Sequence, residues 1–252
     1  MLYQLIKKDL HSRYRGTLFG FFWAILLPLI TLVMYTFVFN VVLGAKWGIE
    51  NEKTFDFALM LFTGLILHAM LSDIITQAPN LIQSNPQLVK KIVFPTEKLP
   101  VVVLLNSLIH NSISLIILLL AIVVIKQELF FTWLLIPILW LPFLVLLIGV
   151  AWFLAAFGVF IKDISQISGS LSMFLLFMSP IFYPLSRLPE NWHNWMYLNP
   201  LTFMIEQSRQ IILYGNQPDW LGWAIYLMVA VSITALGYKV FGKLKRGFAD
   251  AI

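Results

Sequence analysis

Three residues inside long apolar runs carry groups able to move protons or hold ligands: Asp73, His68 and His110. A charged side chain at the centre of a membrane costs about 2.5 to 3.5 kcal/mol on insertion scales, so a carboxylate there needs a reason. For Asp73 two readings stand: hydrogen bonding to polar neighbours near the end of its run, or a substrate or proton role. The histidines read as hydrogen-bonded interior side chains, because neither has a second ligand four residues on to make a metal pair. Thr31, Tyr35 and Phe39 offer chemistry of another kind. At about 100° per residue they fall within about 80° of one another, one stripe of hydroxyl and aromatic groups. Glu206 and Arg209, three residues apart, share a helix face and can pair. There is no G-x-x-x-x-G-K-[ST] phosphate loop, no H-E-x-x-H and no G-x-S-x-G. Cysteine is absent, which removes disulfides, thiolate metal sites and cysteine nucleophiles. No catalytic residue, metal site or cofactor is assigned to this chain.

These residues must be positioned by a structure whose solvent is lipid. The 252 residues are 60% hydrophobic and 12% charged, with mean hydropathy +0.86; a soluble domain carries about 25% charged residues. Disorder, collagen, disulfide scaffolds and nucleic-acid binding are excluded by the same composition. A hydrocarbon core of about 30 Å needs roughly 20 apolar residues per helix. Six runs meet that need, near Gly20 to Gly44, Phe57 to Pro79, Leu99 to Ile125, Thr132 to Ile161, Ile167 to Tyr183 and Trp220 to Tyr238. The fourth is long enough to tilt or to break near Pro137 and Pro142. The predicted fold is therefore all-α, an integral membrane protein of six transmembrane helices forming one domain over residues 1–252, with spans one to five within 20–183 and span six at 220–240.

Twelve of the 17 Lys and Arg lie at one set of span ends, including residues 241–252, which puts both termini in the cytoplasm by the positive-inside rule. Trp47, Trp133, Trp220 and Trp223 fall near the opposite ends, as an outer aromatic belt requires. No cleavable signal peptide is expected, because the basic start runs into a full-length span without a small-residue cleavage site.

Three segments lie outside the spans. Within residues 1–16, Leu2, Ile6, Leu10 and Tyr14 recur every four residues while Lys7, His11 and Arg15 line another face, the pattern of an amphipathic interface helix; a merely topogenic basic start is the alternative. In the 81–98 loop, Pro86 and Pro95 isolate about two helical turns carrying Val89, Lys90, Lys91 and Phe94. That segment is either a docking plug or a solvated basic loop. The 185–219 segment, with Trp192, Trp195, Asn199 and Pro200, is too long and too apolar for a free connector. Two half-length helices meeting at Asn199-Pro200 and dipping into the outer leaflet would bury it.

Five blocks in order, "KKDLHSRYRGTLFGFFWAILLPL", "NPQLVKKIVFPTEKLPV", "FGVFIKDISQI", "SPIFYPLSRLPENWHNWMYLNPLTFMIEQSRQIILYG" and "FGKLKRGFADAI", resemble the permease subunit of the type-2 ABC exporters. Within that group the chain is similar to the polysaccharide branch, which moves lipid-linked O-antigen, capsule or teichoic acid chains. The resemblance implies a multi-pass homodimer in the bacterial cytoplasmic membrane, not itself an enzyme, served by two copies of a separate ATPase subunit that binds ATP and Mg. It further implies that Ile6, Leu10, Tyr14 and Arg15 belong to an interface helix and that Val89, Lys90, Lys91 and Phe94 couple to the ATPase. Trp192, Trp195, Asn199, Pro200, Glu206 and Arg209 would form an outer re-entrant gate. The family's Arg-Asp after the fourth span is Lys162-Asp163 here, which keeps the charge and loses the planar fork.

On this reading the substrate is a lipid-linked glycan and the membrane lipids are the other partners. Sugar rings present C–H faces to aromatic surfaces and hydroxyls to polar groups. The stripe of Thr31, Tyr35 and Phe39 suits them; packing against neighbouring spans or lipid explains it equally. Ser168, Ser172 and Ser179 share a face of span five while Phe174 and Phe177 point elsewhere, as small-residue packing produces. Export of a small hydrophobic drug or cofactor is the runner-up and would favour a narrower, drier pocket. A membrane-embedded transferase or scaffold is the third class, and the spans lack an acid, base or metal set for it.

Overall fold

The computed structural model describes residues 4–6, 19–44, 47, 55–89 and 94–251. Leu10, Tyr14, Arg15, Lys90 and Lys91 lie outside the described residues. Among those described, the regular elements are helices, and four are long and apolar enough to cross a membrane: Asp56–Asn80, Lys98–Lys126, Phe131–Phe160 and Trp220–Gly247. A shorter apolar helix covers Trp23–Phe39. The α-helical parts are α1 (Trp23–Tyr35), α2 (Asp56–Gln77), α3 (Lys98–Lys126), α4 (Ile136–Phe160), α5 (Asp163–Phe177), α6 (Glu190–Met196), α7 (Pro200–Leu213) and α8 (Trp220–Leu244).

The centre of the bundle is α2, its first half apolar and buried and its second half carrying His68, Ser72 and Asp73, enclosed by α3, α5, α7 and α4. A helix surrounded by protein needs polar groups only where it meets polar partners or a cleft. Its first turn is tied to the last turn of α3 by an ion pair between Asp56 and Lys126 at 3.1 Å, both nearly buried. The most extensive contact joins α4 and α8, which run in the same direction. Their backbones touch: a Cβ on Gly237 would sit 2.3 Å from the carbonyl oxygen of Gly149, and one on Gly149 would sit 2.6 Å from Thr234 Cα. Thr234 Oγ1 also donates to the Val145 carbonyl, and Trp223 Nε1 to that of Ile138 at 3.0 Å. In lipid, where apolar surface alone does not drive helices together, such small-residue contacts and interhelical hydrogen bonds hold them.

Chain breaks follow local chemistry. Pro28 in α1 leaves the Ala24 carbonyl without its backbone donor, and further along the helix the Thr31 and Thr36 hydroxyls donate to the carbonyls of Leu27 and Leu32 at 2.8 and 2.7 Å. After Tyr35 the helix opens into a π-turn, Thr36–Val42, with the Leu43 amide donating to Val38 O, five residues back, at 3.0 Å. The 100° spacing assumed for Thr31, Tyr35 and Phe39 therefore holds only to Tyr35. A wider turn brings residues four apart closer to eclipse, and the Tyr35 and Phe39 rings stack at 6.0 Å.

The fourth run divides only near its first proline, into a 3-10 turn Phe131–Leu135 followed by α4 with Pro137 at its start; Pro142 lies inside α4, which continues to Phe160. The fifth is shifted: α5 begins at Asp163 and stops at Phe177, because Pro180 disfavours helical backbone at Ser179. Ser168 and Ser172 of α5, and Ser179 just beyond it, are buried, while Ser170, Phe174 and Phe177 are exposed. The sixth extends past Tyr238 to Leu244, carrying Lys239 and Lys243 on its last turns.

Candidate functional site

A cleft of about 300 Å³ opens between α1, α2 and α3. Its walls include Thr31 and Tyr35 from α1, His68 and Asp73 from α2, and His110, Asn111 and Ser114 from α3. The two readings of Asp73 meet here. Its Oδ2 accepts from Ser107 Oγ at 2.8 Å and its Oδ1 from Gln77 Nε2 at 3.1 Å. Asn111, in turn, donates to the Ser107 carbonyl at 2.9 Å and to its hydroxyl at 3.3 Å. His68 Nε2 lies 2.9 Å from the Ser172 carbonyl. A carbonyl only accepts, so that nitrogen donates. Ser107 and Asn111 were not singled out from the sequence. The signal was available: His110 and Ser114, with Ser107 and Asn111, lie three, four and seven residues apart along one side of α3.

From Tyr35 an aromatic run leads away from the cleft. Phe39 stacks on Phe57 at 5.3 Å and on Phe182 at 6.0 Å, and Phe57 meets Trp47 edge-on at 5.4 Å. Phe182 continues the run to Phe177 at 5.6 Å. The predicted stripe is thus divided, with Thr31 and Tyr35 on the cleft and Phe39 packed among rings.

Beyond those rings lies Arg209, 2% exposed and paired with Glu206 at 2.8 Å. The guanidinium also donates to the Met60 carbonyl from Nε and Nη2, and to the Ile181 carbonyl from Nη2 at 3.3 Å. It lies 4.4 Å over the Trp47 ring. Trp47, expected in an outer aromatic belt, is instead buried beneath this cation. Asn199 caps α7, its Oδ1 accepting from the Leu201 amide, while its Nδ2 reaches the Met178 carbonyl and Ser179 Oγ at 3.0 and 2.9 Å. Pro200 takes the first position of α7, where its missing donor costs nothing. The other half-helix, α6, is two turns long and leaves Trp192 and Trp195 exposed. The Phe131–Leu135 turn and the first turns of α4 grip α7: Thr132 Oγ1, Trp133 Nε1 and Trp140 Nε1 donate to Ile211 O, Ile212 O and Ser208 Oγ.

At the opposite ends of the long helices, the described part of the 81–98 loop forms one helical turn, Pro86–Val89. Val89 and Phe94 are half-buried against the chain's own helices, so part of the expected docking surface is already covered. Gln83 Nε2 bonds the Gly158 carbonyl at 3.1 Å, and Trp152 Nε1 the Glu97 carbonyl at 3.0 Å. Glu97 pairs with Lys245 at 2.6 Å. Burial pushes the Glu97 carboxyl up, but the hydrogen bond from Lys245 and the charges of Lys245 and Lys98 outweigh it, holding the group below the ordinary glutamate value. Lys162 and Asp163 are exposed at the junction of α4 and α5, and Ile6 lies half-buried in a helical turn at residues 4–6.

A family model described as ABC-2 type transporter matches residues 2–213. Among curated proteins, an O-antigen export system permease protein of Myxococcus xanthus is 27% identical over 258 residues, covering 100% of this chain and 95% of the relative. One of the same description from Klebsiella pneumoniae is 26% identical over 254 residues, with the same coverage. A polysialic acid transport protein of Escherichia coli is 25% identical over 214 residues, covering 84% of this chain and 80% of the relative.

Proposed function

The chain belongs to the ABC-2 type transporter family, and from that premise we propose that it is the permease subunit of an exporter that carries a lipid-linked polysaccharide across the bacterial cytoplasmic membrane. A separate ATPase subunit, two copies per permease homodimer, supplies the energy by hydrolysing ATP with Mg. Each permease has six spans, with α1 and its π-turn as the first and α5 as the fifth. Both termini and the 81–98 loop face the cytoplasm, and α6 and α7 form the outer gate.

The observation that carries this reading is full-length similarity to permeases described as O-antigen exporters, joined by a polysialic acid transport protein. The structure supports it physically. A polymer of hydroxyls cannot enter hydrocarbon unless polar or aromatic groups replace its water. The cleft and the aromatic run beginning at Tyr35 supply both. Export of a small hydrophobic molecule has one observation in its favour, an apolar cavity of about 320 Å³ lined by Leu32, Val33, Phe37, Val41 and Leu59. That cavity equally accommodates the lipid portion of a lipid-linked glycan.

The test is reconstitution of the permease with its ATPase in inside-out membrane vesicles loaded with lipid-linked glycan. ATP-dependent protection of the glycan from an added glycosidase is expected. ATP-dependent movement of a hydrophobic dye without any glycan protection would replace this reading with the second one.

A further inference from the structure

The geometry points to a subsite for one neutral sugar ring in the cleft between α1, α2 and α3, an assignment that rests on the glycan-export reading and adds a binding locus to it. The cleft is asymmetric in its chemistry. One wall holds a carboxylate, Asp73, oriented by Ser107 and Gln77; beside it stands the amide of Asn111, 2% exposed and itself held by Ser107. His68 donates from Nε2 to Ser172, so a neutral ring keeps Nδ1 as an acceptor. From α1 the cleft gains Tyr35, with its ring and hydroxyl, and the nearly buried Phe62 of α2 adds apolar lining.

Hydroxyls each bring a donor and acceptors, so a ring bearing several of them needs mixed partners: carboxylate, amide, imidazole and phenol. Its C–H faces need an aromatic surface. The cleft offers both. Among the described residues the polar lining is carboxylate, amide, imidazole, hydroxyl and phenol with no lysine or arginine, a set that suits the hydroxyls of a neutral sugar better than a phosphate. A volume of about 300 Å³ lies at the lower end of ligand pockets, the room for a single ring and not for a folded polymer. The position also fits. Asp73 stands four residues before the end of α2 and Ser114 sixteen from the start of α3, so the cleft runs from about 6 Å to about 24 Å along the helices. A glycan unit can therefore dock at the 81–98 side before it reaches Phe39 and the rings beyond.

Saturation-transfer NMR on the full permease–ATPase complex in nanodiscs tests the subsite, with glucose, galactose, mannose and N-acetylglucosamine as probes and inorganic pyrophosphate as competitor. Transfer to the ring protons of at least one sugar is expected. Asp73→Asn, which keeps the acceptor for Ser107, should weaken it about tenfold. Ser114→Leu, which fills the cleft, should abolish it; size-exclusion elution checks the fold of both variants. Transfer that neither variant changes, transfer to none of the sugars, or displacement by pyrophosphate would each overturn the subsite. If glycan protection in vesicles persists in any of those cases, the subsite alone fails. If the wild-type complex protects no glycan, the export reading fails with it.

Discussion

The guanidinium of Arg209 donates to the Met60 carbonyl oxygen twice, from Nε at 3.2 Å and from Nη2 at 3.1 Å, across 149 residues of sequence. That fork joins α7 to the central helix α2 while Glu206 balances the charge from the same face of α7. Removing one partner of a buried pair leaves an uncompensated charge or orphaned carbonyls, at a cost of about 3 to 5 kcal/mol. Arg209→Met should therefore lose most folded permease, and Arg209→Lys should be nearly as damaging because a point charge cannot serve two carbonyls and a carboxylate at once. Glu206, 27% exposed, retains an acceptor in Glu206→Gln, and that variant should be milder. Thermal midpoints of the purified permease, read by size-exclusion fluorescence, should fall in that order; equal midpoints for Arg209→Met and wild type would show that the clamp is idle.

Contact between α4 and α8 makes an opposite demand on glycine. In an exposed helix, Gly→Ala stabilises by about 1 kcal/mol. At Gly237 the added carbon would stand 2.3 Å from the Gly149 carbonyl oxygen, so Gly237→Ala must push two backbones apart. At Gly242 nothing lies within 4 Å of the added carbon, and Gly242→Ala should be neutral or stabilising. Membrane abundance of the two variants separates them directly, and a Gly237→Ala protein at wild-type abundance would contradict the close approach.

The long, uniformly apolar helices were legible because their lengths and charge boundaries come from local composition. Lys98–Lys126 differs by one residue at each end from the expected run. Three features were not legible, for different reasons. The π-turn after Tyr35 depends on how Phe39 packs between Phe57 and Phe182, residues distant in sequence. Arg209 was visible only as the partner of Glu206, since nothing near it in sequence announces the carbonyls of Met60 and Ile181 or the Trp47 ring. Asp73 was visible as costly, but its partner Ser107 stands 34 residues away on a different helix. The inward serine face of α5 was legible, because helix periodicity alone separates Ser168 and Ser172 from Phe174.

Glu97 and Lys245 link the 81–98 loop to the 3-10 turn Lys245–Gly247 that follows α8, and their contribution should vary with pH. The Glu97 carboxyl is held below its ordinary value of 4.5, so the folded state binds its proton less tightly than the unfolded one. The stabilisation is therefore complete above about pH 4.5 and is lost as pH falls through the lower, folded value. Solvent screens the pair, since the lysine is 40% exposed, and about 0.2 to 1 kcal/mol is expected. Lys245→Gln should lower the thermal midpoint slightly at pH 7 and by progressively less as the pH falls below 4.5. A difference that persists undiminished at low pH would assign the effect of Lys245 to packing.

The proposed topology can be read chemically. The chain has no cysteine, so single cysteines at Ser84 and Gln217, both exposed, report without background. With an impermeant thiol reagent outside intact cells, Gln217→Cys should react and Ser84→Cys should react only after permeabilisation. The reverse pattern would invert the map.

Tyr35 and Phe39 stack on each other yet stand in different surroundings, which turns one question about the passage into two. Tyr35 lines the cleft, whereas Phe39 has rings on three sides. Each aromatic pair contributes about 0.5 to 1.5 kcal/mol beyond its area. Phe39→Leu removes three such pairs and should lower the abundance of the permease. Tyr35→Leu removes one pair together with a hydroxyl and a ring face that a passing sugar would use, so export should fall further than abundance does. Tyr35→Phe keeps the ring and drops the hydroxyl, and should restore most of the export if stacking is what guides the glycan. Surface glycan normalised to permease abundance is the measurement that separates these outcomes. Wild-type export per molecule in Tyr35→Leu would remove Tyr35 from the passage and leave the stripe a packing feature.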